Sequence, residues 1–268
     1  MNILCTIQIF LLNPLNKMTE TNIKIENLNL AFGKYNALEN INLDINSGTF
    51  ISVVGPNGGG KTTLLKIILG LIKPSAGTIK INNGEVSELA PNFIGYVPQI
   101  KSLDRSFPAL SIELVASGLR SNWVSRIDKA EKDLILSTLE RVGAEHLAFR
   151  QLSRLSGGEL QRIYLARSFI RNPKILLLDE PATGIDMVGE TDIHNIIDGY
   201  KKESNSIIIM VTHDWEAAYH HADKVLLLNR KQICYNSPEI AFNEINLRKA
   251  FSHIGHKHEM IFGAIHHD

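Results

Sequence analysis

The segment "GPNGGGKTT", residues 55–63, decides the fold of this chain. It fits the pattern G-x-x-x-x-G-K-[ST], with Gly55, Gly60, Lys61 and Thr62 at the defining positions. The preceding "GTFISVVG" is a short apolar run with β-branched residues, which is typical of a buried strand. The following "KTTLLKIILGLI" has the apolar spacing of a helix. A strand, a glycine-rich turn and a helix in this order predict a phosphate-binding loop.

The residue types in this loop suit a chain of phosphates. Glycines let successive backbone N–H groups point at phosphate oxygens without an intervening Cβ, and the N-terminus of the following helix favours an anion. Lys61 is expected to neutralise the β- and γ-phosphates, and the Thr62 hydroxyl to ligate Mg²⁺. A glycine-rich turn of a Rossmann-like domain is the alternative, which the agreement of pattern and context disfavours. The predicted nucleotide contacts in the loop are Gly55, Pro56, Asn57, Gly58, Gly59, Gly60, Lys61, Thr62 and Thr63.

A second motif, "ILLLDEP" at residues 175–181, places two carboxylates at the end of an apolar strand. Ligands of open α/β sheets bind at the carboxyl ends of the strands. Asp179 is therefore predicted to hold Mg²⁺ through water, and Glu180 to polarise an attacking water. Taken alone, such a pair is often a solvated turn, but together with the phosphate loop it favours a catalytic site.

Composition sets broad limits on function. The 268 residues suffice for one large domain or two small ones, and the 44% apolar and 21% charged content is ordinary for a globular protein. A formal net charge of zero argues against a dedicated nucleic-acid binder. Cys5 and Cys234 form no disulfide framework and no zinc motif, which favours a reducing compartment.

The order of predicted elements indicates an α/β domain. Apolar segments such as "KILLLD" and "SIIIMVTH" alternate with helical patterns, which predicts a parallel sheet with helices packed on it. Pro74 is expected to end the helix after the phosphate loop. Between Ile100 and Arg154 the strand signals fade and "IDKAEKDLILSTLERVGAEHL" is amphipathic with a helical period, which predicts a helical insertion.

The first residues resemble no complete targeting signal. The apolar run from Ile3 to Leu12 lacks a preceding basic region and a small-residue cleavage site. Met18 opens "MTETNIKIENLNLAFG", which begins an ordinary domain. The hypothesis is that translation starts at Met18 rather than Met1, with residues 1–17 an artefact or a disordered extension.

The segment "LSGGELQR", residues 155–162, resembles the signature motif of ABC transporter ATPases. With "GPNGGGKTT" before it and "ILLLDEP" after it, the order and spacing are similar to that family over about residues 23–240. The resemblance implies a P-loop NTPase core of the ABC ATPase type, with a mixed sheet, an antiparallel β subdomain and a helical insertion at about 100–160. The predicted division is an N-terminal extension at 1–22, the ATPase domain at 23–242 and a histidine-rich tail at 243–268.

The resemblance also implies roles for residues outside these motifs. Tyr35, in "FGKYNAL", matches an aromatic residue that stacks on adenine, although a surface aromatic at a strand end is the alternative. Gln99, in "YVPQ", matches a glutamine that contacts Mg²⁺ and the attacking water. His213, in "VTHD", matches the switch histidine that contacts the γ-phosphate. Asp186, in "ATGID", matches the loop that communicates across a dimer, although Gly184 and Ile185 depart from the commoner Ala-Leu.

The signature motif itself implies a composite site. Ser156, Gly157, Gly158 and Glu159 lead into a helix, which makes a second anion-binding N-terminus. In the family it faces the γ-phosphate held by the other subunit. The expected assembly is a head-to-tail pair of two copies that encloses two ATP molecules, closes on ATP binding and opens after hydrolysis.

Softer signals indicate the kind of transporter. The segments "SLDRSFPALSIELVASG" and "HADKVLLLNRKQICYNSP" resemble those of zinc and manganese importer ATPases. The implied partners are separate membrane permease subunits and, indirectly, an extracytoplasmic metal-binding protein, with the chain peripheral to the cytoplasmic face of the membrane. Importers of iron–siderophores or cobalamin are the runner-up. A non-transport ABC ATPase acting on ribosomes or DNA is a further alternative, disfavoured by the single nucleotide domain and the neutral charge.

Five of the ten histidines lie in the C-terminal segment "HIGHKHEMIFGAIHHD". Histidine tracts favour zinc, nickel or copper, so one hypothesis is that this segment senses metal and damps the ATPase. The alternative is a solvated tail without specific ligand geometry, because compositional tracts are weak evidence. The five are His253, His256, His258, His266 and His267, and Asp268 ends the chain.

Overall fold

A computed structural model of the chain describes residues 20–90, 92–99, 108–120 and 126–251. The predictions for the N-terminal extension, the start at Met18 and the histidine-rich segment from His253 onward lie outside these residues, as does part of the helical insertion. In the described part of the chain, no helix is long and apolar enough to cross a membrane.

The described strands form one mixed sheet in the order β4-β1-β2-β9-β8-β3-β7-β6-β5. Strands β8, β3, β7, β6 and β5 run parallel to one another, whereas β4, β1 and β2 pair antiparallel. The strands are β1 (Asn22–Phe32), β2 (Tyr35–Asn46), β3 (Phe50–Val54), β4 (Ala76–Ile81), β5 (Ile94–Val97), β6 (Ile175–Asp179), β7 (Ile207–Val211), β8 (Lys224–Asn229) and β9 (Lys231–Asn236).

Burial explains why the two parts of the sheet have different sequence patterns. Every residue of β3, β6 and β7 is buried, because helices cover both faces of the parallel part. In β1 and β2 buried and exposed residues largely alternate, as in a sheet with one solvated face. The expected α/β fold with a mixed sheet and an antiparallel part is confirmed.

Eight α-helices accompany the described strands. They are α1 (Lys61–Ile68), α2 (Ser111–Ala116), α3 (Lys129–Arg141), α4 (Gly157–Phe169), α5 (Met187–Ser204), α6 (Trp215–His221), α7 (Pro238–Ala241) and α8 (Glu244–Phe251). Helices α2, α3 and α4 contribute buried side chains to one apolar cluster with the sheet, and they form the helical insertion with its return to the core. Helix α3 begins at the capping residue Asp128, whose side chain accepts a hydrogen bond from the Glu131 N–H.

The expected end of helix α1 at Pro74 is wrong. The helix ends at Ile68, and Gly70 adopts φ 73° just beyond it. The Gly70 N–H donates to the Ile67 carbonyl and the Leu71 N–H to the Lys66 carbonyl, both at 2.9 Å. This is the Schellman arrangement, in which a left-handed glycine closes the last helical turn.

Strand β9 and helices α6, α7 and α8 have no counterpart among the strands and helices predicted from the sequence. Strand β9 pairs antiparallel with β8 and meets β2 at a single residue pair, Glu39 with Lys231. Helix α6 has only seven residues, too few for a clear period. Helix α8 falls in the segment assigned to the tail, yet Leu247 and Ala250 are buried and Asn229 Nδ2 donates to the Ala250 carbonyl at 2.9 Å. The chain therefore packs on its domain as far as Phe251.

Candidate functional site

A cleft of about 490 Å³ opens at the carboxyl ends of the parallel strands. It brings together the phosphate loop after β3, the carboxylate after β6 and the histidine after β7, which are far apart in sequence. The residues that line it are Phe32, Tyr35, Ala37, Asn57, Gly58, Gly59, Gly60, Lys61, Thr62, Thr63, Gln99, Glu180 and His213.

Close backbone packing explains the glycines of the phosphate loop. A Cβ on Gly55 would lie 1.8 Å from the Leu228 carbonyl oxygen of β8. Gly60, immediately before α1, adopts φ 95°, and a Cβ there would lie 2.8 Å from the Ala37 carbonyl oxygen. The Gly59 carbonyl accepts a hydrogen bond from the Arg230 N–H at 2.7 Å. The loop is thus fixed between β2 and the β8–β9 turn, which leaves side chains no room at these positions.

Lys61 is held over the loop that it follows. Its Nζ donates to the carbonyl of Gly55 at 2.8 Å and to that of Pro56 at 3.0 Å. Burial lowers the pKa of Lys61, and the charges of Glu180 and Asp179 oppose that shift. The ammonium group is therefore poorly hydrated and close to carboxylates, a position in which it can interact strongly with an anion in the cleft.

Asp179 ends strand β6 as a buried carboxylate, with 2% of its surface exposed. Its Oδ1 accepts a hydrogen bond from the Thr62 hydroxyl at 3.3 Å. Burial raises the pKa of Asp179, and the hydrogen bond from Thr62 opposes that shift. The predicted pair of metal-binding oxygens from two motifs 117 residues apart is thus adjacent in the structure.

Glu180 is the centre of a hydrogen-bond group at the mouth of the cleft. Its Oε2 accepts from the Gln99 side-chain amide and from the Thr183 hydroxyl at 3.2 Å, and its Oε1 lies 2.5 Å from His213 Nε2. The backbone N–H of Glu180 donates to the Val211 carbonyl at 3.0 Å, which ties it to the neighbouring strand β7. Gln99 and His213, which the sequence predicts as site residues together with Glu180, therefore both contact the Glu180 carboxylate.

The backbone of Glu180 is itself unusual, with φ 53°. Eight described residues other than glycine have positive φ, and six of these are asparagine, the residue that tolerates this region best. The two others are Glu180, which lines the cleft, and Arg230, which contacts the lining residues Tyr35 and Gly59. Left-handed backbone at residues without that tolerance is a mark of functional sites, where the surroundings impose it.

Two aromatic side chains line the cleft at the turn between β1 and β2, and a basic side chain from the β8–β9 turn packs against one of them. Tyr35 is 45% exposed and Phe32 is 54% exposed, and the two are paired across the turn. The Arg230 guanidinium carbon lies 4.7 Å from the centroid of the Tyr35 ring. Sequence reasoning singled out Tyr35 alone. Phe32 could have been predicted as a site residue, because it is an apolar residue next to Gly33 in the same turn. Arg230 comes close to Tyr35 only through the pairing of β9 with β2.

The signature residues lie away from this cleft in the single chain. Ser156 caps helix α4: its Oγ accepts from the Glu159 N–H at 3.3 Å, and the Ser156 N–H donates to Glu159 Oε2 at 2.8 Å. Gly157 and Gly158 open the helix next to the loop that carries Gly184 and Ile185. Asp186 ends that loop and caps α5, where its Oδ1 accepts from the Gly189 N–H at 3.1 Å. The two halves expected of a composite site are separate surfaces of one chain.

Comparison with known proteins agrees with this geometry. Residues 38–183 match the ABC transporter family. The zinc import ATP-binding protein ZnuC of Haemophilus ducreyi is 36% identical over 242 residues, which cover 89% of this chain and 86% of that protein.

Two solved structures show the same fold. The structure of cbiO1 from Clostridium perfringens, part of the ABC transporter complex cbiONQ, has a TM-score of 0.72 and 29% identity, covering 88% of this chain and 98% of that chain. The ATP-binding cassette MJ0796, solved as a dimer in a post-hydrolysis state with ADP and Pi, has a TM-score of 0.67 and 25% identity, covering 81% of this chain and 98% of that one. By its motifs, its fold and its relatives, this chain belongs to the ATP-binding subunits of ABC transporters.

Proposed function

We propose that this chain hydrolyses ATP in a head-to-tail dimer and thereby drives import of a divalent metal ion, zinc in the first instance, through separate permease subunits. The observation that carries the ATPase part is the convergence of the phosphate loop, Asp179 and the Glu180–His213 pair on one cleft. The zinc part rests on the similarity to the zinc import protein of Haemophilus ducreyi.

ATP would bind with its phosphates on the loop and its base beside the β1–β2 turn. The backbone N–H groups of residues 57–63 and the Lys61 ammonium supply positive potential for the phosphates. Tyr35 offers a flat, half-exposed face for adenine, as the sequence predicts. The guanidinium of Arg230, which already contacts that ring, would reinforce the stack or contact a phosphate.

The residues around Thr62 fit Mg²⁺. The Thr62 hydroxyl, the Asp179 carboxylate and the Gln99 amide offer oxygen ligands only, the type that Mg²⁺ prefers. The Thr62 and Asp179 oxygens are adjacent, 3.3 Å apart, so one ion could be held by the Thr62 hydroxyl and, through a water, by the Asp179 carboxylate. When bound, Mg²⁺ would neutralise charge that develops on the transferred phosphate.

Glu180 is the proposed general base. Its carboxylate is fixed by Gln99, Thr183 and His213, so one oxygen can be directed at a water in line with the γ-phosphate. His213 contacts Glu180 and also lines the cleft, so its imidazole can contact both the carboxylate and a γ-phosphate oxygen. Gln99 links this group to the helical insertion that follows it in the chain.

The second half of each site would come from a second copy. Ser156, Gly157, Gly158 and Glu159 open a 13-residue helix whose N-terminus lies away from the chain's own cleft. Such a helix start attracts an anion, and the γ-phosphate of the partner's ATP is the proposed one. The dimeric state of the MJ0796 cassette supports this arrangement for that protein, and the loop ending at Asp186 would lie at the same interface.

The cellular position and the domain bounds belong to the same proposal. The chain would sit at the cytoplasmic face of the membrane through its permease partners, which would receive metal from an extracytoplasmic binding protein. The ATPase domain would begin near residue 23 and extend to Phe251 rather than to residue 242, because α8 packs on it. An ATPase of an iron–siderophore or cobalamin importer is the runner-up.

Growth of a deletion strain tests the cargo. Cells without this chain are expected to stop growing when zinc is chelated and to recover with added zinc but not with added manganese. Lys61→Ala on a plasmid is the matched control, since it removes phosphate binding while leaving the chain present. Recovery with manganese alone would reassign the cargo, and recovery with Lys61→Ala would separate growth from ATP hydrolysis.

A further inference from the structure

A second cleft, of about 340 Å³, lies between helix α5 and the loop that follows strand β7. It shares Glu180 and His213 with the nucleotide cleft, and the loop at residues 181–185 forms one of its walls. Three ligand-type side chains line it: Glu190, His194 and Asp214. None of the three has a role in the proposed ATP chemistry.

These three side chains converge on one point. Each offers a ligand atom within 4.8 Å of the other two. Glu190 and His194 are four residues apart on α5, so they lie on the same face of the helix one turn from each other. Asp214 comes from the opposite side of the cleft, where its Oδ1 caps α6 by accepting from the Ala217 N–H at 3.0 Å. Its second carboxylate oxygen has no hydrogen-bond donor among the described residues, and neither has the Glu190 carboxylate.

His194 provides an independent reason to expect a ligand here. The side chain is buried, with 4% of its surface exposed, yet neither of its ring nitrogens has a hydrogen-bond partner among the described residues. A buried polar group left unpaired costs about 1–3 kcal/mol, so such groups are rare without a ligand or water.

The ring of His194 is also fixed in position. It stacks on His221 with centroids 4.8 Å apart and planes 12° from parallel, and His221 is itself held by Asp198, whose Oδ2 lies 2.7 Å from His221 Nδ1. Burial lowers the pKa of His194, and the neutral imidazole is the form that binds metals. An imidazole held in one orientation beside two carboxylates is a set of ligands suited to a metal cation.

We propose that Glu190, His194 and Asp214 form a binding site for a divalent transition-metal ion of the zinc type. Zinc accepts three protein ligands of these kinds, with a water as the fourth. Bonds of about 2.0–2.2 Å would separate the ligand atoms by about 3.4 Å, so the three side chains need to approach each other by little more than about 1 Å. The imidazole excludes a dedicated Mg²⁺ or Ca²⁺ site, because those ions take oxygen ligands.

The position of the proposed metal site means that a bound ion would connect two separate segments of the chain. Glu190 and His194 belong to the helix that Asp186 caps, whereas Asp214 follows His213 directly. A bound ion would therefore join the loop at the expected dimer interface to the loop that carries the switch histidine. The site is separate from the Thr62–Asp179 pair, and its existence does not depend on the roles proposed for the nucleotide cleft.

Zinc binding to the full-length protein tests the proposal. The background is a chain in which His253, His256, His258, His266 and His267 are all replaced by glutamine, so that the C-terminal segment contributes no imidazole. Zinc chloride is titrated against a chromogenic chelator in excess Mg²⁺, which occupies oxygen-only sites. In this background Glu190→Gln and Asp214→Asn each remove one ligand, and Asn keeps the capping function of Asp214. Glu216→Gln, an exposed acid on α6, is the matched control.

The expected result is one zinc ion per chain at micromolar free zinc. Loss of an outer-shell partner of a metal site already costs about 10- to 100-fold in affinity, so both ligand variants should weaken binding by at least about tenfold, while Glu216→Gln stays within about twofold. Zinc should also raise the melting temperature of the background protein but not of the two ligand variants. The proposal is overturned if the background binds no zinc, or if the ligand variants bind it as tightly as Glu216→Gln.

Discussion

Asp179 illustrates how a residue of the nucleotide site can lower the stability of the folded protein. The side chain is 2% exposed and its nearest polar partner is the Thr62 hydroxyl, so a full negative charge is held with little solvation. Lys61 lies close enough to lower the pKa, yet burial dominates and the pKa of Asp179 is raised. A carboxylate in this position is better suited to receiving a cation than to stabilising the fold.

Asp179→Asn should therefore stabilise the protein at pH 7 in the absence of nucleotide, by about 1 kcal/mol, while it lowers ATP turnover. The folded state of the wild type binds the Asp179 proton more tightly than the unfolded state does. Its stability thus falls, relative to the variant, as pH rises above the ordinary aspartate pKa, and the difference vanishes below that value.

Urea denaturation at pH 7 and at acid pH measures both effects. Asp192→Asn is the control, because Asp192 is half exposed and its pair with Arg162 is worth little. Equal stability of the wild type and Asp179→Asn at pH 7, or a difference that grows on acidification, would contradict this account of the site.

At the residue scale, the sequence predicts which side chains lie close together where they are neighbours in the chain. Lys61 and Thr62 follow the glycines directly, and Glu180 follows Asp179, so their proximity needs no knowledge of the fold. Nothing in the sequence pointed to Arg230, because this residue reaches Tyr35 only through the single residue pair that joins β9 to β2. His194 was not predicted as a site residue, because the sequence of a helix does not show whether the ring nitrogens of a histidine form hydrogen bonds in the fold.

At the scale of elements, the strand–loop–helix unit around residue 55 depends on one close approach of two backbones. The Leu228 carbonyl of β8 occupies the place where a side chain at Gly55 would begin. Since β3 pairs with β8 along its length, neither strand can move away without loss of ladder hydrogen bonds. The position of the phosphate loop is thus set by the sheet and not by the loop alone.

Gly55→Ala should destabilise the protein by about 1–3 kcal/mol, as overpacking does. Gly199 in the middle of α5 is a matched control, because a Cβ there meets nothing within 4 Å. Gly199→Ala should stabilise the protein by about 0.5–1 kcal/mol, since alanine is the better helix former. Urea midpoints of the two variants measure the effects, and shifts of the same sign would show that the Leu228 contact is not limiting.

The elements predicted well are those with long or uniform patterns. Strands β3, β6 and β7 are buried on both faces, so their apolar runs were unmistakable. The half-buried β9 and the seven-residue α6 gave no such pattern. The end of α1 was misplaced because the glycine at 70, and not the proline at 74, supplies the left-handed residue that closes the helix.

At the scale of the whole molecule, one chain presents two separate surfaces that the proposed dimer would bring together. The nucleotide cleft holds the loop, the carboxylates and His213, while Ser156 caps a helix whose start faces elsewhere. The start of α4 and the loop before Asp186 are in contact within the chain, since a Cβ on Gly158 would lie 3.5 Å from Ile185. They would therefore present themselves together to a partner.

Substitutions that change the charge at position 156 test the proposal that each ATP site is shared between two copies of the chain. Aspartate and asparagine both cap helices as well as serine does, so Ser156→Asp and Ser156→Asn should fold alike and bind ATP within about twofold of the wild type. Only aspartate opposes the partner's γ-phosphate, and like charges in contact cost several kcal/mol. ATP turnover of Ser156→Asp should thus fall at least about tenfold below that of Ser156→Asn, whereas equal turnover would place Ser156 outside the reacting site.

The most direct test of the central claim is the rate of phosphate release from ATP by Glu180→Gln. The substitution keeps the side-chain size and removes the base, so turnover should fall by about 100-fold or more while ATP binding persists and the protein elutes as a dimer in ATP. Glu203→Gln, which alters an exposed pair with Arg141, should hydrolyse ATP at the wild-type rate. Hydrolysis by Glu180→Gln at the wild-type rate would contradict the assignment of Glu180 as the base.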